Sequence, residues 1–333
     1  MDQIEPIDEN SNGTGPSNIP ESPELTDHDQ TTPVQTDDSL LLYERMKVAK
    51  KVYGPNRNHT PKYRTQKTLG EGGFATVFQV QDDCTKQKYA IKVIFRPDND
   101  KRQNLSNLIY MEVKIHRSLN HKNVIRLEEV YISYRYAYLV LELADNTLDY
   151  EMIKSNGVTE NRAREVIRGI TDGLHYIHQK NIIHRDIKPE NILMKDGVPK
   201  ISDFGLSCYS LDTTSLSTNC GTRRFKPPES AYIKDGVILS DATDYYALGV
   251  LLFLMLYRRF PTFRFDLAAV GPVPQFPVFS TVTRKAKRML RGLMHPNPGN
   301  RSDYRTVMDH DWMKDNESAA SGKRWKRFFK RPD

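Results

Sequence analysis

The alternation of apolar and polar residues changes character twice along the 333-residue chain. From Tyr63 onward, "YRTQKTL", "FATVFQV" and "KYAIKVIF" repeat at every second residue, as half-buried strands do. Across residues 104–119, Leu108, Met111, Ile115 and Leu119 fall at helical spacing, and two further strand-like runs follow, "VIRLEEVYI" and "YAYLVLEL". This order predicts a small antiparallel sheet carrying one helix. Beyond "DNTLDYEMI" the period becomes helical. Ala163, Val166, Ile167, Ile170, Leu174 and Ile177 form one apolar stripe, and Thr159 is placed to cap its start. His175 and His178 share a face of that helix, but no third ligand is spaced to make a metal site with them. "ALGVLLFLMLY", residues 247–257, is too short to span a bilayer and reads as a buried helix.

Composition alters this picture mainly at the two ends. Residues 1–40 hold ten acidic side chains and no Lys or Arg, and are rich in Pro, Ser, Thr and Asn. Such a segment cannot bury enough apolar surface to offset its chain entropy, so a disordered acidic tail is expected. Residues 41–62 read as a linker in which "LLYERMKVAKKVYG" predicts a short helix. At the other end, residues 314–333 form a basic-aromatic tail. On a helix its Trp325, Phe328 and Phe329 would share one edge beside six basic side chains. Residues 322–333 are a candidate contact for an acidic partner or an acidic membrane surface, although a solvated tail accounts for them equally well. The net charge of +7 is the sole argument for nucleic acid, and no such partner is expected. Cys84, Cys208 and Cys220 lack metal-ligand spacing and suit a reducing compartment. With no signal peptide in "MDQIEPIDEN" and no membrane-length apolar run, the expectation is an intracellular protein of cytoplasm or nucleus, neither secreted nor membrane-spanning.

Candidate chemistry begins with "LGEGGFATVF", residues 69–78, where three glycines in four residues precede an alternating run. Ala75 stands where the pattern G-x-G-x-x-G has its third glycine, so a phosphate loop, a degenerate loop and a plain hairpin turn all remain open. "HRDIKPEN", residues 184–191, is more specific and resembles the catalytic loop of eukaryotic protein kinases. Further motifs of that family follow in order: Lys92 in "YAIKVI", Glu112 in "YMEVKIH", "DFG" at 203–205, "CGTRRFKPPE" at 220–229, "TDYYALGVLL", and Arg301. The resemblance runs from about Tyr63 to Trp312.

The resemblance implies an α+β, bilobal protein-kinase fold over residues 63–313. Its small antiparallel β-sheet lobe with one helix would cover 63–143, and its larger, mainly helical lobe 144–313. It further implies a Ser/Thr-directed enzyme using ATP and Mg²⁺. Asp186 would orient the substrate hydroxyl and accept its proton, with Lys188 and Thr222 beside it. Lys92, held by Glu112, would grip the α- and β-phosphates, and Asn191 and Asp203 would ligate the metal. The nucleotide would lie against Gly70, Glu71, Gly72, Gly73, Phe74, Ala75, Val77 and Ala90, and against the backbone of Glu142 and Ala144, with Leu141 as gatekeeper.

Departures from the family pattern are Ala75, "PPE" for "APE", Tyr246 for Trp, and a short hinge without Gly-Gly. Glu229 is nevertheless expected to pair with Arg301. The implied partners are protein substrates, with a weak preference for basic sequence from Glu190, Asp145, Asp149 and Glu151. An upstream kinase, or the protein itself, would phosphorylate one of Thr213, Thr214, Ser215, Ser217 and Thr218, foremost Thr214 or Thr218, with Arg185 reading the phosphate. The alternative is a pseudokinase scaffold without turnover. Loss of Lys92, Asp186, Asn191 or Asp203 would favour it, and all four are present. Local likenesses to the polo-like and the calcium/calmodulin-dependent groups point in different directions and leave the subfamily open.

Overall fold

The computed structural model describes residues 52–53, 61–72, 75–95, 102–132, 136–155, 158–268 and 271–314. The acidic tail, most of the linker, Gly73, Phe74 and the basic-aromatic tail beyond Lys314 lie outside these residues.

The alternating segments form a six-stranded antiparallel sheet in the order β1-β2-β3-β4-β6-β5. Its strands are β1 (Val52–Tyr53), β2 (Pro61–Glu71), β3 (Ala75–Asp82), β4 (Lys88–Phe95), β5 (Leu127–Ile132) and β6 (Tyr136–Glu142). Phe78 and Val80 on β3 turn inward at period two, joining Tyr63, Ile91, Val93 and Val140 in a core. Helix α1 (Arg102–Arg117) packs on the other face, where Ile109 and Val113 meet Ile94, Ala137 and Leu139.

Two sequence expectations need correction here. The helix expected across "LLYERMKVAKKVYG" does not extend through its end, because Val52 pairs with Tyr63 and Tyr53 with Pro61. A β-branched and an aromatic residue beside an open sheet edge extend the ladder instead. The rest of that stretch lies outside the described residues, and the sheet begins before Tyr63. The run "VIRLEEVYI" is strand only from Leu127. Val124 bridges to Ile201, and the Ile125 N–H donates to the Ile201 carbonyl.

In the larger part, helices α2 (Leu148–Lys154), α3 (Glu160–Gln179), α5 (Ala242–Tyr257) and α6 (Arg284–Leu293) surround one core. The side chain of Thr159 accepts from the Arg162 N–H and caps α3, and every stripe residue of that helix is fully buried. Helix α5 is apolar on all sides because neighbours cover all its faces. Short strands frame the loops between helices. They are β7 (Asn146–Thr147), β9 (Ile192–Lys195) and β10 (Val198–Ile201) in one sheet, and β8 (Ile182–Ile183) with β11 (Cys208–Tyr209) in another. A one-turn helix, α4 (Thr213–Leu216), follows β11, and α7 (Tyr304–Asp309) and α8 (Asp311–Lys314) close the described chain. A hairpin not anticipated from the sequence, β12 (Thr262–Asp266) and β13 (Gly271–Gln275), stands between α5 and α6. No helix among the described residues is long and apolar enough to cross a membrane.

Candidate active site

The site is built on the loop between β8 and β9. Asp244, in the first turn of α5, is fully buried beneath that loop. It accepts the His184 N–H at 2.9 Å, the Arg185 N–H at 2.8 Å and a bond from His178 Nε2 at 2.8 Å. Burial alone would raise its pKa, but His178 and the backbone donors hold it below the ordinary carboxylate value. His178 therefore supports the loop from below. His175 instead stacks on Tyr304, with ring centroids 3.8 Å apart.

Arg185 takes a left-handed backbone, φ 68°, a conformation costing about 1 kcal/mol in a non-glycine residue. Its carbonyl lies against Gly221, where an added Cβ would come within 2.5 Å of the oxygen. Only glycine permits that approach, which brings Thr222 to Asp186.

Both carboxylate oxygens of Asp186 are occupied. Oδ1 accepts from the Thr222 N–H at 2.9 Å and its hydroxyl at 2.7 Å. Oδ2 accepts from Lys188 Nζ at 2.7 Å and Asn191 Nδ2 at 3.0 Å. Burial pushes this carboxyl up, yet the bonds from Lys188 and Thr222 leave it below the ordinary value and ionised at neutral pH. Lys188 also reaches the Thr222 hydroxyl at 3.1 Å.

A second group converges from the small sheet. Lys92 on β4 lies 2.7 Å from Glu112 of α1 and 2.8 Å from Asp203. Burial would lower the ammonium's pKa, but the two carboxylates outweigh it and raise the value. Asp203 also has a left-handed backbone, φ 64°, and its side chain is 45% exposed. Its pKa is pushed up by burial and brought below the ordinary value by Lys92. The ring of Phe204 sits between His116, 4.8 Å away, and His184, 5.1 Å away. His116 was missed in the sequence because only the fold sets it against "DFG".

Between these groups lies a cleft of about 640 Å³, lined by Gly70, Val77, Ala90, Lys92, Glu112, Leu141, Glu142, Ala144, Asn191 and Asp203 among others. Thr147, Tyr150 and Glu190 also line it. Glu71, Gly72 and Ala75 lie at the turn between β2 and β3, away from that lining, with the Gly72 N–H donating to the Ala75 carbonyl at 2.8 Å. Ala75 is not among the positive-φ residues, so its methyl adds no backbone strain. A Cβ on Gly70 would meet nothing within 4 Å, and on Gly72 only a backbone oxygen at 3.5 Å. The protein's own packing thus does not demand glycine at either place. Gly73 and Phe74 lie outside the described residues. The Glu142 carboxylate faces away from the cleft, toward Lys195, Lys200 and the Arg126 N–H, leaving its main chain to border the cavity.

Behind the site, Arg301 makes a two-pronged pair with Glu229 at 2.7 and 2.9 Å. Its guanidinium lies 5.0 Å from the ring of Tyr246, so that tyrosine offers the flat face on which the arginine rests. Arg185 extends its guanidinium to the carbonyls of Leu206 and Ser215, the latter in α4.

The site thus joins a cleft whose lysine is paired with two carboxylates to an aspartate clamped on both its oxygens. The protein kinase domain family matches residues 63–313, and the chain belongs to the eukaryotic protein kinases, in their serine/threonine branch. It is similar to the protein kinase domain-containing protein ppk9 of Schizosaccharomyces pombe, with 33% identity over 74% of this chain and 46% of that protein. Serine/threonine-protein kinase 33 of Mus musculus is 31% identical over 78% of this chain and 56% of its own length. The carbon catabolite-derepressing protein kinase of Saccharomyces cerevisiae is 31% identical over 77% and 41% respectively. The chain thus spans about half the length of these relatives.

Proposed function

We propose that the chain transfers the γ-phosphoryl group of ATP to serine or threonine hydroxyls of proteins, with Asp186 as the base. The observation that carries this reading is the convergence of Lys188, Thr222 and Asn191 on Asp186, across the cleft mouth from the Lys92–Glu112–Asp203 group. Phosphoryl transfer has a loose transition state, so the protein's contribution is placement and charge. Lys92 holds the α- and β-phosphates. The open space above Gly70, which lines the cleft, lets the main chain approach them closely, the role glycine serves in such turns. Asp186 orients the incoming hydroxyl and takes its proton, while Lys188 offsets charge on the moving group. Asp203 and the side-chain oxygen of Asn191 are hard donors suited to Mg²⁺, since Asn191 spends its amide N–H on Asp186. A bound Mg²⁺ would neutralise charge on the β- and γ-phosphates.

Glu190 is exposed beside the cleft and, with Asp145 and Asp149, favours basic sequence around the target. Glu151 is withdrawn from that group by its pairing with Arg162 at 2.8 Å. Thr214 and Thr218 are exposed, Thr218 donating its hydroxyl to the Thr214 carbonyl at 3.1 Å, whereas Ser215 is half-buried and donates to the Asp212 carboxylate at 2.5 Å, which favours the two threonines as acceptors for an activating phosphate. Transfer from labelled ATP to the protein itself and to a generic basic substrate tests the reading, with Asp186→Asn as the control. Label on Ser or Thr that the variant loses supports it. No label with nucleotide binding intact, even after treatment with an activating kinase, would instead support a scaffold. Replacing Thr213, Thr214, Ser215, Ser217 and Thr218 by Ala should lower activity, and unchanged activity would remove the activation proposal.

A further inference from the structure

We propose that the outer edge of strand β12 is a docking site for an extended acidic segment of a partner protein, which adds to the hairpin as a third strand. Among the described residues the hairpin is a two-stranded sheet, with the register Thr262↔Gln275, Phe263↔Pro274, Arg264↔Val273, Phe265↔Pro272 and Asp266↔Gly271. Antiparallel partners alternate between residues that exchange N–H···O bonds and residues whose backbone groups face outward. Pro272 and Pro274 have no N–H to exchange. The bonded pairs are therefore those of Thr262, Arg264 and Asp266.

Two consequences follow for the edges. On β13 the outward-facing positions are the prolines, which close that edge to another strand. On β12 the outward-facing backbone groups are those of Phe263 and Phe265. No turn or loop bond between described residues takes them up. This edge is open, and its side chains are exposed, Phe265 at 69% and the following Leu267 at 86%. Val278 and Phe279, just after β13, are 91% and 96% exposed. Val278 and Phe279 lie beyond the Thr262–Gln275 pair at the hairpin's other end, so the apolar side chains along the unpaired edge are those of Phe263, Phe265 and Leu267, and their exposure side by side marks an interaction surface.

Charge selects the partner. Between residues 258 and 291 the chain carries eight basic side chains and one acidic, Asp266. Arg259, Arg264 and Arg284 are exposed, and α6, which packs on β13, has five basic residues and no acidic one. Arg264 lies 3.9 Å from Asp266, Arg288 is paired with Asp311 at 3.1 Å and Arg291 covers Phe276 at 4.9 Å, yet basic side chains still outnumber acidic ones here. Strand addition supplies affinity through main-chain bonds, while alternate side chains of the added strand supply specificity. An added strand whose alternate residues are apolar and acidic meets both the aromatic edge and the cationic rim.

The test uses the full chain and a fluorescein-labelled octapeptide of alternating Glu and Val, read by fluorescence anisotropy. Saturable binding that weakens as salt is raised is expected, with no comparable binding of the Lys-Val counterpart. Phe265→Pro removes one outward N–H and leaves the β12–β13 bonds untouched, so it should weaken binding by about tenfold, whereas Phe265→Tyr should hold it. Methylating alternate amide nitrogens of the peptide removes the same bonds from the other side and should abolish binding, whatever Phe265→Pro does to folding. Equal binding of the Lys-Val peptide, or indifference to N-methylation, would overturn the proposal. So would a dimer, seen by sedimentation, that Phe265→Pro dissolves, because the edge would then belong to a second copy.

Discussion

The loop that carries Asp186 and the glycine-rich turn between β2 and β3 are held in opposite ways. Asp186 has four hydrogen bonds from three side chains and one main-chain N–H, and the loop beneath it is anchored by a fully buried carboxylate. Among the described residues, the turn between β2 and β3 is held by the ladder and one bond across it, Gly72 to Ala75. A base must be fixed to within a fraction of an ångström of the hydroxyl it serves, whereas a cover over the nucleotide must open at every turnover. Among the described residues, the side-chain bonds gather on Asp186 rather than on the turn.

Substitutions can break this contrast in order of size. Asp186→Asn should lower kcat by about 10²- to 10⁴-fold while ATP affinity stays within a few-fold, checked by steady-state kinetics and nucleotide titration. Next is Glu229→Ala, which leaves the buried Arg301 unpaired and should cost about 3–5 kcal/mol in a denaturant melt. Acid should act on the same side of the contrast. Asp186, Asp203 and Asp244 have folded pKa values below the ordinary 3.8. Their stabilisation is present in full above the unfolded value and is lost as pH falls through the folded ones. The thermal midpoint should therefore vary little with these groups from neutrality to about pH 5 and drop below about pH 4, with a shallower drop in Asp244→Asn. The smallest effect belongs to the turn. Ala75→Gly should change the KM for ATP by less than about threefold, since the Ala methyl is unstrained. A large gain would sharpen the contrast by showing that the turn, too, is tuned by rigidity.

Much of this arrangement was legible because the chemistry uses residues close together in sequence. "HRDIKPEN" places Asp186, Lys188 and Asn191 within six residues of one another, and the 3.6-residue stripe of α3 is strong enough to read unaided. What escaped were partnerships made only by folding. His178 looks like a stray histidine until Asp244, 66 positions away, comes beneath it. His116 acquires a role only when Phe204 packs against it. Strand β13, "GPVPQ", carries two prolines that argue against a central strand, and the hairpin forms because one of its edges needs no donors. Val52 and Tyr53 follow good helix formers and read as helix in the sequence, but they pair with the open edge of β2.

Gly221 has a bearing on how such an enzyme can be switched off. Its Cα rests against the carbonyl of Arg185, and the next residue, Thr222, supplies two of the four bonds to Asp186. A segment that swings away at residues 220–222 therefore strips the base of half its clamp in the same motion. On the proposed function, the position of the segment and the clamping of Asp186 are mechanically one variable, so a signal acting on the segment would need no separate route to that aspartate.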